Sequence, residues 1–393
     1  MKIRDIRTTA LKYSGKRVLF DANFGLTDQY QLLVEVETDD GLVGLGEANP
    51  LGGPLRSTQE VIEGELRDHV VGEDPREIER LWEQMHQRAY KHARGGVLLA
   101  AMSGIDIALW DLRGKMTGMP LWQLLGGYQR RIPAYGGGGL YAEGKGIREL
   151  CEEMEGYVKA GYRAVKMKVG RNSDIEGSPL RAMPHRGVGE VSLREDLARV
   201  RAVREAIGPD IRLMVDANYG WDVPTAIKMG RAMEPLDIYW LEEPVSPDDI
   251  AGSAEVASKI AIPIAGYETC TYGKVGFRDY IAAKAIHFVQ FDVPWEGGFT
   301  ECLKIAHLAQ AWNLPFTPHI FGSAVALAAS LHLLGALPNA SMAEISARQQ
   351  PLRNELLKEP VIVDSTGHIE LSDRPGLGIE FDQQAVKKYR VDQ

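Results

Sequence analysis

Six polar residues, Asp216, Glu242, Glu268, Asp292, His319 and Glu344, recur along the chain at steps of 24 to 27 residues, each at or near the end of a short apolar run. One acidic side chain in such a place is common. Three brought together without a cation, Asp216, Glu242 and Glu268, would repel and raise one another's pKa. Three carboxylate oxygens completed by water and substrate suit an octahedral Mg2+. Lys166 and Lys168, two apart in the apolar run 164–168, point the same way if that run is a strand. Two neighbouring ammonium groups depress each other's pKa, which suits one of them to act as a base. His319 follows Thr317-Pro318, and Asp292 ends the preceding run. A carboxylate on one ring nitrogen fixes the tautomer and raises the basicity of the other, giving a second acid/base facing Lys168. Glu344 could give a proton to a substrate carboxylate oxygen. Together these groups suit removal of a proton next to a carboxylate, where positive charge on the oxygens offsets the negative charge that develops.

The positioning elements can be read from the same runs. From about residue 132, apolar or β-branched segments end in a polar residue and a helical stretch follows, as at 164–168, 213–216, 238–242, 262–266, 288–292 and 314–317. Repeated βα units call for a parallel sheet with right-handed crossovers. Seven or eight in roughly 230 residues fit a closed barrel, whose catalytic groups sit at the C-terminal strand ends. The 48 residues from Lys168 to Asp216 contain an insertion, 171–192, rich in Gly, Pro, Ser and charge. It should lie over that same mouth, and its Arg181, His185 and Arg186 are candidates to touch a long anionic substrate. Before the barrel, 29–37 alternates as a strand, Asp40-Gly41 marks a hairpin, and 42–48 returns. Residues 58–90 turn helical, and 96–117 reads as a strongly amphipathic helix stopped by Gly118 and Pro120. Strand character reappears at 368–371 and 378–381, in a tail expected to pack back on the N-terminal part.

Composition excludes several partners. The net charge of −9 is spread without a basic block, which argues against nucleic acid and against an anionic membrane surface. No run of 18 apolar residues suggests a membrane span. The first residues lack the apolar stretch of a secretory signal, so a cytoplasmic protein is expected. Cys151, Cys270 and Cys302 are too few and too far apart for a disulfide framework or a zinc ribbon, and read as small buried hydrophobes.

At these motifs the chain resembles the mandelate racemase subgroup of the enolase superfamily. The residues that carry the resemblance are Lys166-Met167-Lys168, Asp216-Ala217-Asn218, Glu242-Glu243-Pro244, Glu268, Asp292 and Thr317-Pro318-His319, and it spans nearly the whole chain. It implies an α/β fold, a (β/α)7β TIM-like barrel at 131–362 with an N-terminal α+β capping domain at 1–130 completed by the C-terminal tail, 363–393. It implies Mg2+ held by Asp216, Glu242 and Glu268, Lys168 as one base, Lys166 polarising the substrate carboxylate, His319 with Asp292 as the opposing acid/base, and Glu344 as an electrophilic partner. Asn218 would touch substrate. The chain departs from the pattern at Gly266-Tyr267-Glu268, where the third ligand usually follows glycine directly, and in the 171–192 insertion. The muconate-lactonizing branch is a poorer match, since it carries a lysine where this chain has Asp292.

Dehydration of an aldonate or aldarate to a 2-keto-3-deoxy acid is the favoured reaction, with racemisation or epimerisation of a 2-hydroxy acid as the alternative and a non-catalytic member as a remote one. The expected partner is a small-molecule carboxylate substrate, and the resemblance implies a homo-oligomer, an octamer or smaller. Two cap segments, 18–25 and 49–55, are candidates to close over the mouth. Phe20, Asn23 and Phe24 would be substrate contacts there.

Overall fold

The alternating segment at 29–37 lies inside a longer strand. The computed structural model describes residues 1–393 apart from 50, 52, 54, 92–93, 176–185, 270–271, 347–349 and 392–393. Within it, β1 (Ile3–Phe20) and β2 (Gly25–Thr38) form a long antiparallel hairpin, and β3 (Val43–Ala48) pairs antiparallel with β2. The turn into β3 carries Gly41 at φ +87°, the left-handed conformation that Gly adopts without strain.

The helix Val97–Thr117 lies directly on β3. A Cβ on Gly46 would fall 2.0 Å from the Gly104 carbonyl oxygen, and one on Gly44 would fall 2.1 Å from that of Ala108. Only glycine lets sheet and helix come this close. The expected amphipathic pattern does not hold, because every residue from 98 to 112 except Trp110 is buried. The second face is covered by the barrel helix Gly298–Ala311, where Thr300 N donates to Asp106 Oδ2 at 3.0 Å and Trp110 Nε1 donates to Thr300 Oγ1 at 3.0 Å. A helix sandwiched between two layers is apolar all round.

The second layer is the barrel. Parallel strands β4 (Arg131–Gly137), β5 (Ala164–Lys168), β6 (Arg212–Asp216), β7 (Ile238–Glu242), β8 (Ile264–Gly266) and β9 (Phe288–Val289) follow one another in order, and β10 (Ala343–Ser346) returns beside β4. Single parallel bridges at Phe316, to Val289 and to Ala340, close the ring between β9 and β10. Alternation puts Val165, Met167, Leu213, Val215 and Leu241 outward, in one continuous core with the surrounding helices. Inward, Tyr135, Ala164, Met214, Trp240, Ala265 and Met342 form a separate buried layer across the barrel. Two residues further along β5, β6, β7 and β10 come Lys166, Asp216, Glu242 and Glu344.

In the tail, β11 (His368–Glu370) pairs antiparallel with β4, at the start of the barrel strand rather than on the cap. The strand expected at 378–381 is reduced to one bridge between Phe381 and Leu357. The cap contacts come from other parts of the tail. Leu377 N donates to Asp111 Oδ1 at 2.8 Å, and Val391 N donates to the Ala10 carbonyl at 2.9 Å beside β1. Cys302 is buried and Cys151 half-buried, both as free thiols, while Cys270 falls outside the described residues. No described helix is long and apolar enough to cross a membrane.

Candidate active site

Strand register assembles the barrel half of the site. Lys168, Asp216 and Glu242 are direct neighbours across β5, β6 and β7. Lys168 Nζ donates to Asp216 Oδ2, and Lys166 Nζ donates to Glu242 Oε1. Lys166 also lies 3.0 Å from Glu344 Oε1 and 3.8 Å from Asp216 Oδ2. The second oxygen of Glu242 is held at 2.9 Å by Trp240 Nε1 and at 3.0 Å by Gln290 Nε2. The β8 strand ends at Gly266, and Glu268 follows two residues on. His319 Nδ1 is 2.9 Å from Asp292 Oδ2, the pairing expected from the sequence, and its Nε2 is 4.0 Å from Glu268 Oε1.

A cavity of about 640 Å3 opens above these groups, a size that suits a small molecule. Lys166, Lys168, Asn218, Glu268, His319 and Glu344 line it from the barrel; Asp21, Phe24, Thr27, Asp28, Tyr30 and Leu51 line it from the cap. Asp216, Glu242 and Asp292 lie fully buried beneath.

The two lysines depart from expectation. Burial and the neighbouring ammonium do push Lys168 down, but Asp216, Glu242 and Glu344 outweigh them and its pKa rises. For Lys166 too, burial is outweighed, by Glu242 and Glu344, and its pKa lies well above the usual lysine value. Like-charge repulsion therefore loses to the surrounding carboxylates. Asp216 and Glu344 are held below the usual carboxylate range despite burial, Asp216 by Lys168 and Lys166, and Glu344 by Lys166 and His319. Burial and Asp216 push Glu242 up, and burial and Glu243 push Glu268 up. Burial pulls His319 down, but Glu268 and the Asp292 bond dominate and raise it to about 9.

The cap residues divide. Phe24 lines the cavity and is 45% exposed. Asn23 does not line it: the residue is buried and its Nδ2 donates to the Asn218 carbonyl, so the expected substrate contact is instead a tie between cap and barrel. Phe20 lies below the loop with the Arg171 guanidinium 4.3 Å over its ring. Of the basic insertion residues, Arg181 and His185 lie outside the described residues, and Arg186 is exposed and lines no part of the cavity. The ends of the insertion are joined by Val191 N donating to the Arg171 carbonyl at 3.0 Å.

Three residues at the site had no role in the sequence reading. Asp21 Oδ1 accepts from Asn23 N at 2.7 Å and Phe24 N at 2.6 Å. Asp-x-Asn is a turn signature that could have flagged it. Glu243 is buried, accepts from Thr269 Oγ1 at 2.5 Å, and is pushed up by burial and Asp216. Tyr219 lines the cavity at φ +48°. Nothing local distinguishes it.

The residues fit a divalent cation, although they do not enclose one. Among the described residues no three histidine, cysteine or carboxylate side chains gather closely enough to hold an ion as they stand, and the lysines take oxygens of Asp216 and Glu242. Yet Glu268 Oε2, Glu243 Oε2 and Asn218 Oδ1 are buried without hydrogen-bond partners. Unpartnered anionic oxygens beside Asp216 and Glu242 are a costly arrangement, and a hard, oxygen-seeking cation would remove that cost.

Comparison with known proteins agrees with this geometry. The family model described as enolase C-terminal domain-like matches residues 149–385, and that of the mandelate racemase / muconate lactonizing enzyme N-terminal domain matches residues 22–126. An arabinonate dehydratase from Saccharolobus solfataricus is 36% identical over 392 residues, 99% of each chain. A D-galactarolactone cycloisomerase from Agrobacterium fabrum is 34% identical, covering 100% of this chain and 99% of the other. A racemase from Streptomyces coelicolor A3(2), solved with bound magnesium, superposes with a TM-score of 0.86 at 32% identity, covering 99% of this chain and 100% of that one.

Proposed function

Because the chain belongs to the mandelate racemase and muconate lactonizing enzyme family of the enolase superfamily, we propose that it removes the α-proton of an acid sugar and expels the β-hydroxyl as water, giving a 2-keto-3-deoxy acid. The observation that carries this reading is the pair of proton-handling groups on one cavity: Lys168 ending the second barrel strand, and His319, after Phe316, paired with Asp292, which follows the sixth. Full-length relatives named as a dehydratase and a cycloisomerase support it.

The substrate carboxylate is received over Lys166; Glu344, ionised in its 3.0 Å pair with Lys166 and so without the proton expected of it, positions that ammonium. Asp216, Glu242 and Glu268 would hold Mg2+, which supplies positive charge to the substrate carboxylate as the α-carbon loses its proton. Lys168 would serve as the base, its proton held less tightly where Asp216 bonds to the cation rather than to its ammonium. Protonated His319, oriented by Asp292, gives its proton to the departing β-oxygen. Cap residues above exclude water and hold the hydroxylated chain. If no β-oxygen leaves, the same two groups can remove a proton on one face and return it on the other, which is racemisation.

The test is a screen of purified, Mg2+-loaded protein against mono- and diacid sugars, with 2-keto acid detected by semicarbazide. A hit that disappears in Lys168→Ala and in His319→Asn supports dehydration. Absence of keto acid together with exchange of the α-proton in D2O would replace it by racemisation.

A further inference from the structure

We infer that the cavity selects monocarboxylate acid sugars over dicarboxylates, with Asp21 accepting a hydrogen bond from a hydroxyl at the far end of the substrate; this rests on the acid-sugar reading above.

The cavity has two chemically opposite ends. The positive groups that line it, Lys166, Lys168 and His319, all belong to the barrel. That end takes the reacting carboxylate. The cap side presents Asp21, Thr27, Asp28 and Tyr30, with no lysine or arginine among the described lining residues. The cap lysine Lys12 is 2.8 Å from Asp28 Oδ2 and does not line the cavity. Arg171 does not line the cavity; it donates to the carbonyls of Val188 at 2.9 Å and Ala22 at 3.4 Å, and its charge acts on Asp21 from there.

Asp21 is held in place to act as an acceptor. Both loop amides, Asn23 N and Phe24 N, bond to Oδ1, which leaves Oδ2 as the oxygen offered to the cavity. The loop is fixed to the barrel by Asn23 Nδ2 on the Asn218 carbonyl. A hydroxyl donating to Oδ2 would form a charge-assisted bond, stronger than a neutral one. A second carboxylate in that place would meet Asp21 and Asp28, of which Asp28 is already paired with Lys12, and would find no lysine or arginine among the described cap residues that line the cavity. The far end of the substrate is therefore uncharged and hydroxylated.

The experiment compares kcat/KM for aldonate and aldarate pairs of matching configuration, such as galactonate with galactarate and gluconate with glucarate, in the Mg2+-loaded wild-type protein and in Asp21→Asn. The wild type should prefer the aldonate of the best pair by at least about tenfold. Asp21→Asn, which keeps the shape and the Oδ1 acceptor, should lower aldonate kcat/KM by roughly 10- to 100-fold, the range for losing a hydrogen bond to a charged group, and should narrow the ratio. The wild-type ratio is readable even if the variant fails to fold. A wild type that turns over the aldarate as well as or better than the aldonate would overturn the inference and leave the dehydratase reading standing. An unchanged ratio in folded Asp21→Asn would overturn the assignment to Asp21. No turnover of either acid, with no α-proton exchange, would instead overturn the reading on which it rests.

Discussion

At four barrel strands an apolar or aromatic side chain points inward and, two residues later, a charged one: Ala164 then Lys166 on β5, Met214 then Asp216 on β6, Trp240 then Glu242 on β7, and Met342 just before β10 then Glu344 on it. Both layers are buried and share the same backbone, yet different forces hold them. The lower layer is held mainly by apolar packing: Trp240 lies 5.6 Å from Tyr135 edge to face and 5.1 Å from Phe288, with its Nε1 reaching up to Glu242. The upper layer is held by opposite charges that have lost most of their water, and oxygens of Glu268 and Glu243 are left without partners. Such a layer contributes little to stability for what its desolvation costs. Its retention above an apolar layer points to chemistry rather than folding.

Four outcomes would break or sharpen this contrast. His319→Asn should lower kcat by about 10²- to 10⁴-fold, the usual worth of a positioned acid or base, with a smaller effect on Tm than a lower-layer truncation. Steady-state kinetics beside calorimetry separates the two. Met214→Ala should do the reverse, costing about 2–5 kcal/mol of stability in a denaturant titration, as large-to-small core changes do. If both variants lose stability equally, the layers do not differ as described. Adding Mg2+ to metal-stripped protein should raise stability by about 2.7 kcal/mol at a hundredfold excess over its dissociation constant. Glu268→Gln should weaken that gain, whereas Met214→Ala should leave it intact; thermal shift reads both.

The smallest effect concerns two histidines that precede the last strand, half-buried His319 and fully buried His332. His319 is raised among carboxylates, while His332 is pushed down to about 4 by burial. His332 Nδ1 accepts from Trp122 N at 3.0 Å, and Nε2 lies 3.0 Å from the Leu377 carbonyl, so both nitrogens are used by the neutral ring. A depressed folded pKa gives stability that is present above about pH 6.5 and lost as pH falls toward 4. The unfolded chain binds the extra proton in that window. Between pH 6.5 and 5 the loss should be roughly 2 kcal/mol, and His332→Gln should flatten that part of the stability profile. An unchanged slope would exclude His332 as its source.

The upper layer was legible in the sequence because each member ends a βα unit, and a step of 24 to 27 residues is visible without any knowledge of contacts. The β5 strand, Ala164–Lys168, coincides with the segment read from the sequence. What was misread depended on contacts distant in the chain. The helix Val97–Thr117 gains a second buried face from Thr300, about 190 residues away. The lysine pair was read from its own repulsion, whereas Glu242 and Glu344, on other strands, decide its charge. The sequence alone offers Asn23 as a substrate contact, since its use on Asn218 is set by how the cap docks. Asp21 escaped notice for the same reason: its turn is local, but the cavity it faces is not.

The most direct measurement follows the C2 proton of a substrate by NMR in D2O for the wild type, Lys168→Ala and His319→Asn. The wild type should give a keto acid carrying solvent deuterium at C3. His319→Asn should exchange the C2 proton without forming keto acid, because Lys168 still removes it while no acid assists the leaving oxygen. Lys168→Ala should do neither. Keto acid formed by both variants at wild-type rates would contradict the roles assigned to the upper layer.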